Sequence, residues 1–290
     1  MKYRIIEGPE SIQGSDDWKK FREGKISASM APTIMGENPY ETPLQLWERL
    51  MRGEEKEQTE AMKRGIELEE EARQAFNDRM NANYAPVVVQ SNVYPWLICS
   101  LDGMDFKGDI IEIKCPGIKA HQTTLLKGVP AQYTAQLQHQ MMVCGMPFLR
   151  FVSYHPDCDT PLVIWTYYQE IDYCDRLLEA EQAFLSCLRE CTPPIPCDRD
   201  WLEITQPDLL ALSQDYLQLK QTADWYKKGE EKMRQMILEQ VTHSRTKIGD
   251  LKIQKIRSQG RIDYARLVKE LNIDVEPYRT QGTECWRIDL

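Results

Sequence analysis

Between residues 85 and 115 the hydrophobic pattern takes the period of a strand, and this constrains the fold more than any other stretch. "APVVVQ", "WLICSLDGM" and "DIIEIKC" are short, rich in β-branched residues and separated by Asn92, Pro95, Gly103 and Gly108. Within the last run, alternation places Ile110, Glu112 and Lys114 on one face and Ile111, Ile113 and Cys115 on the other. Apolar neighbours surround the acids Asp102 and Glu112, so both rise from a packed sheet.

Helical patterns flank this region. Residues 18–30, "WKKFREGKISASM", read as a helix end, a break at Gly24 and a Ser-capped restart, before a loop "GENPYET" and a helix starting at Thr42. Over 61–80, Met62, Ile66, Phe76 and Met80 fall on helical spacing, and Glu69 and Arg73 complete the stripe, so an acid points where a core is expected. That acid is satisfied either by a cation or by Arg73 at i+4 or Lys63. Residues 131–144 form a helix with Tyr133, Gln136, Leu137 and Gln140 on one side, closed by Gly145 and Pro147. Two more strands, "FLRFVSYHP" and "LVIWTYYQEI", and a helix "YCDRLLEAEQAFLSCLREC" follow. This order predicts an α/β fold with a mixed central sheet packed between helices.

The tandem prolines of "CTPPIPCDRDW" mark a boundary near residue 198, dividing 1–198 from 199–290. Beyond it, a long polar helix over about 206–241 and a small α+β end from Lys247 to Leu290 are expected. Within 243–270 stand Arg245, Lys247, Lys252, Lys255, Arg257, Arg261, Arg266 and Lys269, which read either as a nucleic-acid track or, slightly preferred, as a solvated surface. At 290 residues the chain is long enough for a substantial core. Its net charge of −9 argues against a general nucleic-acid coat. Nine cysteines scattered singly suit reduced thiols, and with no signal-like N-terminus or long apolar run a cytoplasmic, non-membrane protein is expected.

Asp102 and Glu112 stand ten residues apart, a hairpin's length, with Lys114 on the same face as Glu112. Two carboxylates suit a hard divalent cation such as Mg²⁺, and an ammonium beside them can orient or deprotonate an attacking water and offset charge on a phosphate. D-x(n)-E-x-K alone matches many exposed hairpins; the dry flanks, Glu69 and the mid-helix Gln136 set this one apart. Arg22 offers a planar fork for phosphate, and Ser29 in "ISAS" either presents its hydroxyl to an anion or caps a helix. No Gly-rich phosphate loop for ATP occurs. Cys187, Cys191 and Cys197 lack the upstream fourth thiolate of an iron–sulfur cluster, and the four histidines have no zinc spacing.

"WKKFREGKISAS", "RGIELEEEARQAF", "SLDG", "IEIKCP" and "YTAQLQHQMMV", in that order over about residues 15–190, resemble the lambda-type phage exonucleases, the YqaJ-like viral recombinase family of the PD-(D/E)xK nuclease superfamily. The resemblance implies a Mg²⁺-dependent enzyme, with Mn²⁺ as a substitute, that digests one strand of duplex DNA from the 5′ end. The 3′ overhang it leaves would serve a single-strand annealing protein. It implies Asp102, Glu112 and the carbonyl of Ile113 as metal ligands, Glu69 at a second metal position, Lys114 as the catalytic lysine and Gln136 as the active-site glutamine. Arg22, Ser29 and Ser100 match the pocket for the 5′ phosphate, and Tyr133 and Lys119 are candidate DNA contacts. A ring-shaped homo-oligomer, a trimer, is further implied. Leu101 stands where the superfamily name has proline, and residues beyond about 198 have no counterpart in the shorter phage enzymes. An endonucleolytic or structure-selective nuclease is the rival within the superfamily. A DNA-end-binding scaffold without chemistry is the rival outside it, against which the intact acids and Lys114 speak.

Overall fold

The strand-period region supplies the middle of a seven-stranded mixed sheet. The computed structural model describes residues 2–12, 14–54, 59–257, 260 and 262–275; Arg261 and Cys285 lie outside these, as does the side chain of Lys269. The strands are β1 (Tyr3–Ile6), β2 (Ile26–Ser27), β3 (Ala85–Ser91), β4 (Leu97–Met104), β5 (Ile110–Lys114), β6 (Phe148–Tyr154) and β7 (Leu162–Tyr168). They run in the order β1-β3-β4-β5-β6-β7, with the short β2 lying parallel to β4. The β5–β6 pair is parallel and the others along this path are antiparallel. Parallel neighbours need a long crossover. Here α5 (Ile118–Lys127) and α6 (Thr134–Cys144) provide it.

Before the central strands come α1 (Asp16–Arg22), α2 (Ala31–Ile34), α3 (Pro43–Met51) and α4 (Glu60–Met80), and α7 (Ile171–Arg189) follows β7. Layers of helix cover both faces. On one, Leu97, Cys99, Leu101 and Ile110 pack with Leu137, Met141, Phe184 and Leu185 of α6 and α7; on the other, Ile111, Ile113 and Val152 pack with Ala72 and Phe76 of α4. The predicted alternation in β5 is thus realised, each face of the strand belonging to a different core.

Two local readings change. In α4 the inward surface is Ala72, Arg73 and Phe76, whereas Met62, Ile66 and Met80 are 41%, 59% and 40% exposed. Periodicity identifies a helix face, but only the middle of this long helix lies against the sheet, where alanine permits close approach. The serines after Gly24 do not cap a helix: Ile26 and Ser27 form β2, a 3-10 turn spans Ala28–Met30, and Met30 precedes α2.

The backbone divides into two compact units, residues 1–203 and 204–290. In the second, α8 (Pro207–Glu239) is followed by a hairpin of β8 (Arg245–Ile248) and β9 (Leu251–Gln254) and by α9 (Tyr264–Leu271). Among the described residues no helix is long and apolar enough to cross a membrane.

Gly103 sits where β4 meets β5, and a Cβ there would lie 2.8 Å from Ile111 side-chain atoms and 2.9 Å from Tyr84 Cβ. Gly103→Ala is expected to destabilise the protein by about 1–3 kcal/mol, read as a lower urea midpoint with an unchanged slope.

Candidate active site

Strands β4 and β5 are paired only at Gly103↔Ile111 and Met104↔Ile110. Past that point the ladder ends, and the Asp102 side chain takes over from the backbone: its Oδ2 accepts the Ile113 N–H at 2.7 Å. The carboxylate therefore satisfies a strand amide that would otherwise lack an acceptor. Its other oxygen makes no hydrogen bond among the described residues, and the carbonyl of Asp102 accepts from Arg73 Nε at 2.6 Å.

Arg73 is the cation that α4 drives into the sheet. It is 6% exposed, and its guanidinium also donates to Glu69 Oε1 at 2.5 Å and to Glu70. Of the two ways to satisfy Glu69, the ion pair with Arg73 is present, while Lys63 pairs with Glu60 at 2.8 Å instead. Glu69 is only partly buried, its side chain 35% exposed.

Glu112 points from β5 toward α6 and is 1% exposed. Oε1 accepts from Lys114 Nζ at 2.5 Å and from Gln136 Nε2 at 2.6 Å, and Oε2 accepts from Gln140 Nε2 at 2.6 Å. Both carboxylate oxygens thus carry charge-assisted or amide bonds. The amide oxygen of Gln140 is buried without a partner. Lys114 Nζ also stands 5.3 Å from the centre of the Tyr133 ring, which packs at 5.4 Å on Phe151.

Burial, then the charge of Glu112 and more weakly that of Glu69, push the Asp102 carboxyl well above its usual range, against the pull of Lys114 and the Ile113 N–H. Burial works against the Lys114 ammonium, yet Glu112 and Asp102 overcome it and raise its pKa. Lys114 is accordingly an ammonium in this arrangement, suited to orient a water and to offset anionic charge.

The donor set fits a hard divalent cation: every candidate is an oxygen, Glu112 is buried, and its charge helps hold the Asp102 carboxyl above its usual range. Asp102 lies in the field of both Glu112 and Glu69, but among the described residues no three His, Cys, Asp or Glu side chains are grouped as a ready cation cage. Lys114 and the two glutamines bond Glu112, and Arg73 bonds Glu69.

A second group lies along β4. Arg22 Nη2 donates to Ser27 Oγ at 3.0 Å, Ser27 Oγ and Ser29 Oγ are 3.2 Å apart, and the guanidinium stacks 4.3 Å from the centre of the Trp18 ring. Arg22 Nε is buried and unpartnered, and no acid among the described residues pairs with the side chain. Burial, then the nearby Arg49 charge, lowers its pKa. The pairing of β2 with β4 puts Ser27 opposite Ile98. Ile98 is two residues from Ser100, about 7 Å along the strand, and four from Asp102. Ser100 itself is half-buried and shares no hydrogen bond with Arg22 or the serines. Lys119 is exposed and lines a cleft of about 900 Å³ with Arg64, Glu67 and His155, apart from the cluster around Glu112.

Sequence reasoning did not assign Gln140 a role, although its i+4 spacing from Gln136 was a readable signal. It also left open Arg73, and it gave Ser27 no separate part. His139, between the two glutamines, joins Glu181 at 2.6 Å and the Ile98 carbonyl at 3.0 Å, with His139 and Glu181 fully buried. This contact holds α6 to β4 and α7, and so fixes the helix that carries Gln136 and Gln140. Cys187, Cys191 and Cys197 are free thiols.

Residues 17–147 match the model of the YqaJ-like viral recombinase domain. Among solved structures, an alkaline exonuclease (LHK-Exo) from Laribacter hongkongensis is similar, with 26% identity over 61% of this chain and 94% of that chain and a TM-score of 0.54. LHK-Exo in complex with dAMP is similar at 25% identity, the same coverage of 61% and 94%, and a TM-score of 0.54. No curated protein matches the chain. The sheet and its helices thus form a PD-(D/E)xK-like fold of the phage-exonuclease type.

Replacing Arg73 by Met would leave the Asp102 carbonyl and Glu69 without their donor. A loss of about 2 kcal/mol is expected, since hydrogen bonds to charged groups are worth about 1.5–3 kcal/mol each and Glu69 is partly solvated. Chemical denaturation of Arg73→Met against wild type measures it.

Proposed function

We propose, from the match of residues 17–147 to the YqaJ-like viral recombinase domain, that the chain is a Mg²⁺-dependent 5′→3′ exonuclease. In this reading it digests one strand of linear double-stranded DNA from its ends and leaves 3′ overhangs for an annealing protein. The observation that carries the reading is the convergence of Lys114, Gln136 and Gln140 on Glu112, with Asp102 across the opened strand pair. The similarity to an alkaline exonuclease, one of whose structures holds dAMP, supports a nucleotide-processing site.

Asp102, Glu112 and the carbonyl of Ile113 would hold the cation, with Glu69 at a second position. A bound Mg²⁺ supplies Lewis acidity toward a phosphoryl oxygen and a more acidic water. The chain's own residues do the rest. Lys114, positioned by Glu112, directs the attacking water and offsets charge developing on the scissile phosphate. Gln136 keeps the Glu112 carboxylate turned inward. Arg22 with Ser27 and Ser29 receives the terminal 5′ phosphate, Ser100 stands nearby on β4, and Tyr133 and Lys119 flank the path of the DNA. The nuclease domain is 1–198 in this reading, 199–290 is an extension, and a ring-shaped trimer around the duplex supplies processivity.

Digestion of linear duplexes with 5′-phosphate or 5′-hydroxyl ends, in Mg²⁺ or chelator, tests the proposal. Cleavage is expected to need Mg²⁺, to favour the phosphorylated end and to spare covalently closed circles. Cutting of circles would favour the endonuclease alternative, and full activity in chelator would overturn the assignment. Lys114→Ala is expected to lower kcat by about 10²–10⁴-fold, measured in single-turnover digestion with DNA binding retained. Arg22→Ala is expected to raise KM for 5′-phosphorylated ends and to erase the difference from 5′-hydroxyl ends.

A further inference from the structure

The second unit carries a hairpin whose register is unfavourable for an isolated protein. β8 and β9 pair Arg245↔Gln254, Thr246↔Ile253, Lys247↔Lys252 and Ile248↔Leu251. Alternation sorts these pairs into two faces. Thr246 and Ile253 are half-buried on one face, which also carries the exposed Ile248 and Leu251, while Arg245, Lys247 and Lys252 are exposed together on the other. Lys247 and Lys252 lie directly across the ladder, where Cβ atoms are about 4.5–5.5 Å apart and like charges repel.

Among the described residues no acid forms an ion pair with any of the three. Asp250, at the turn after Gly249 (φ +57°), is the one acid between Arg245 and Arg257, against five cations with Lys255 and Arg257 counted. The Lys255 N–H, bonded to the Ser244 carbonyl at 2.9 Å, extends the ladder by one more pair, so Lys255 stands at the open end of the hairpin. By alternation Lys255 lies on the Thr246–Ile253 face, so a chain with net charge −9 gathers three cations, Arg245, Lys247 and Lys252, on one small sheet face, at a cost in local repulsion.

We infer that this face binds a nucleic-acid backbone, giving the protein a DNA contact outside its nuclease unit. A polyanion converts the cross-strand repulsion into attraction. The spacing suits it as well: residues two apart on a strand are separated by about 6.6–6.8 Å, twice the 3.4 Å rise per phosphate of one DNA strand. Such contacts are independent of sequence and respond to salt through counterion release. The choice of DNA as the polyanion rests on the nuclease reading; the charge arrangement does not.

The test is fluorescence anisotropy with a labelled 30-base-pair duplex, on the full chain in chelator, at several salt concentrations. The triple variant Arg245→Gln/Lys247→Gln/Lys252→Gln is expected to bind at least about tenfold more weakly at 0.1 M salt. Its plot of log K against log [salt] is expected to be shallower by about 2–3. The conservative set Arg245→Lys/Lys247→Arg/Lys252→Arg should bind as wild type does. An equal loss in a matched control, Lys227→Gln/Lys228→Gln/Lys232→Gln on α8, would show a net-charge effect and overturn the inference. So would an unchanged slope in the triple variant, or a loss confined to binding of phosphatidylserine vesicles. Circular dichroism excludes misfolding, which is not expected because removing like charges relieves the hairpin. Because binding is read without cleavage, failure of the nuclease reading would appear separately, as intact linear DNA in Mg²⁺.

Discussion

Two carboxylates on adjacent strands of one sheet, Glu112 buried and Asp102 half-buried, set the terms for the rest of the first unit. Asp102 and Glu112 repel each other in a dry setting, and every neighbouring feature answers that repulsion. Arg73 enters from α4, Lys114 from two residues along β5, and two amides descend from α6. The end of the β4–β5 ladder belongs to the same solution, since parting the strands frees the Ile113 N–H for Asp102. A core of this kind gives up stability that valine or leucine would supply. In the proposed reading, the cluster serves instead to receive a cation and a phosphate.

The supports around the cluster form a graded series. Glu112 is held by three donors and Asp102 by one. Glu69 is partly solvated and held only by Arg73. The order of restraint follows the proposed roles: Glu112 is fixed by protein, Asp102 keeps one oxygen available, and Glu69 stands at the solvent side. His139 and Glu181 contribute at one remove, through the placement of α6. Arg22, half-buried, stacked on Trp18 and bonded to Ser27, is a cation with no acid partner among the described residues, the arrangement on which its proposed role at the 5′ phosphate rests.

Much of this was legible in the residues. Alternation in "DIIEIKC" gave the two faces of β5, and the dryness around Asp102 and Glu112 marked a packed sheet. The order of helical and strand-like segments gave the mixed α/β class. What could not be read was where elements touch. The helical period of 61–80 is real, yet it cannot say that only the Ala72–Phe76 stretch meets the sheet, so Met62, Ile66 and Met80 were misplaced. The two-residue strand β2 is too short to show a period, and its serines looked like caps because capping and strand-edge serines share a composition. Gln140 was visible as a second amide on an apolar helix side, but its partner Glu112 is 28 residues away in sequence. In the second unit, the Lys/Arg run read as ordinary surface until pairing set Lys247 opposite Lys252.

The central claim is the proposal that Asp102 and Glu112 together hold a divalent cation. Calorimetric titration of Mn²⁺ into the wild-type chain, Asp102→Asn and Glu112→Gln tests it most directly, with no dependence on DNA. The account predicts saturable binding to the wild type that is lost in both variants, accompanied by a rise in wild-type Tm that neither variant shows. Equal Mn²⁺ binding by all three proteins, or none by the wild type, would contradict it.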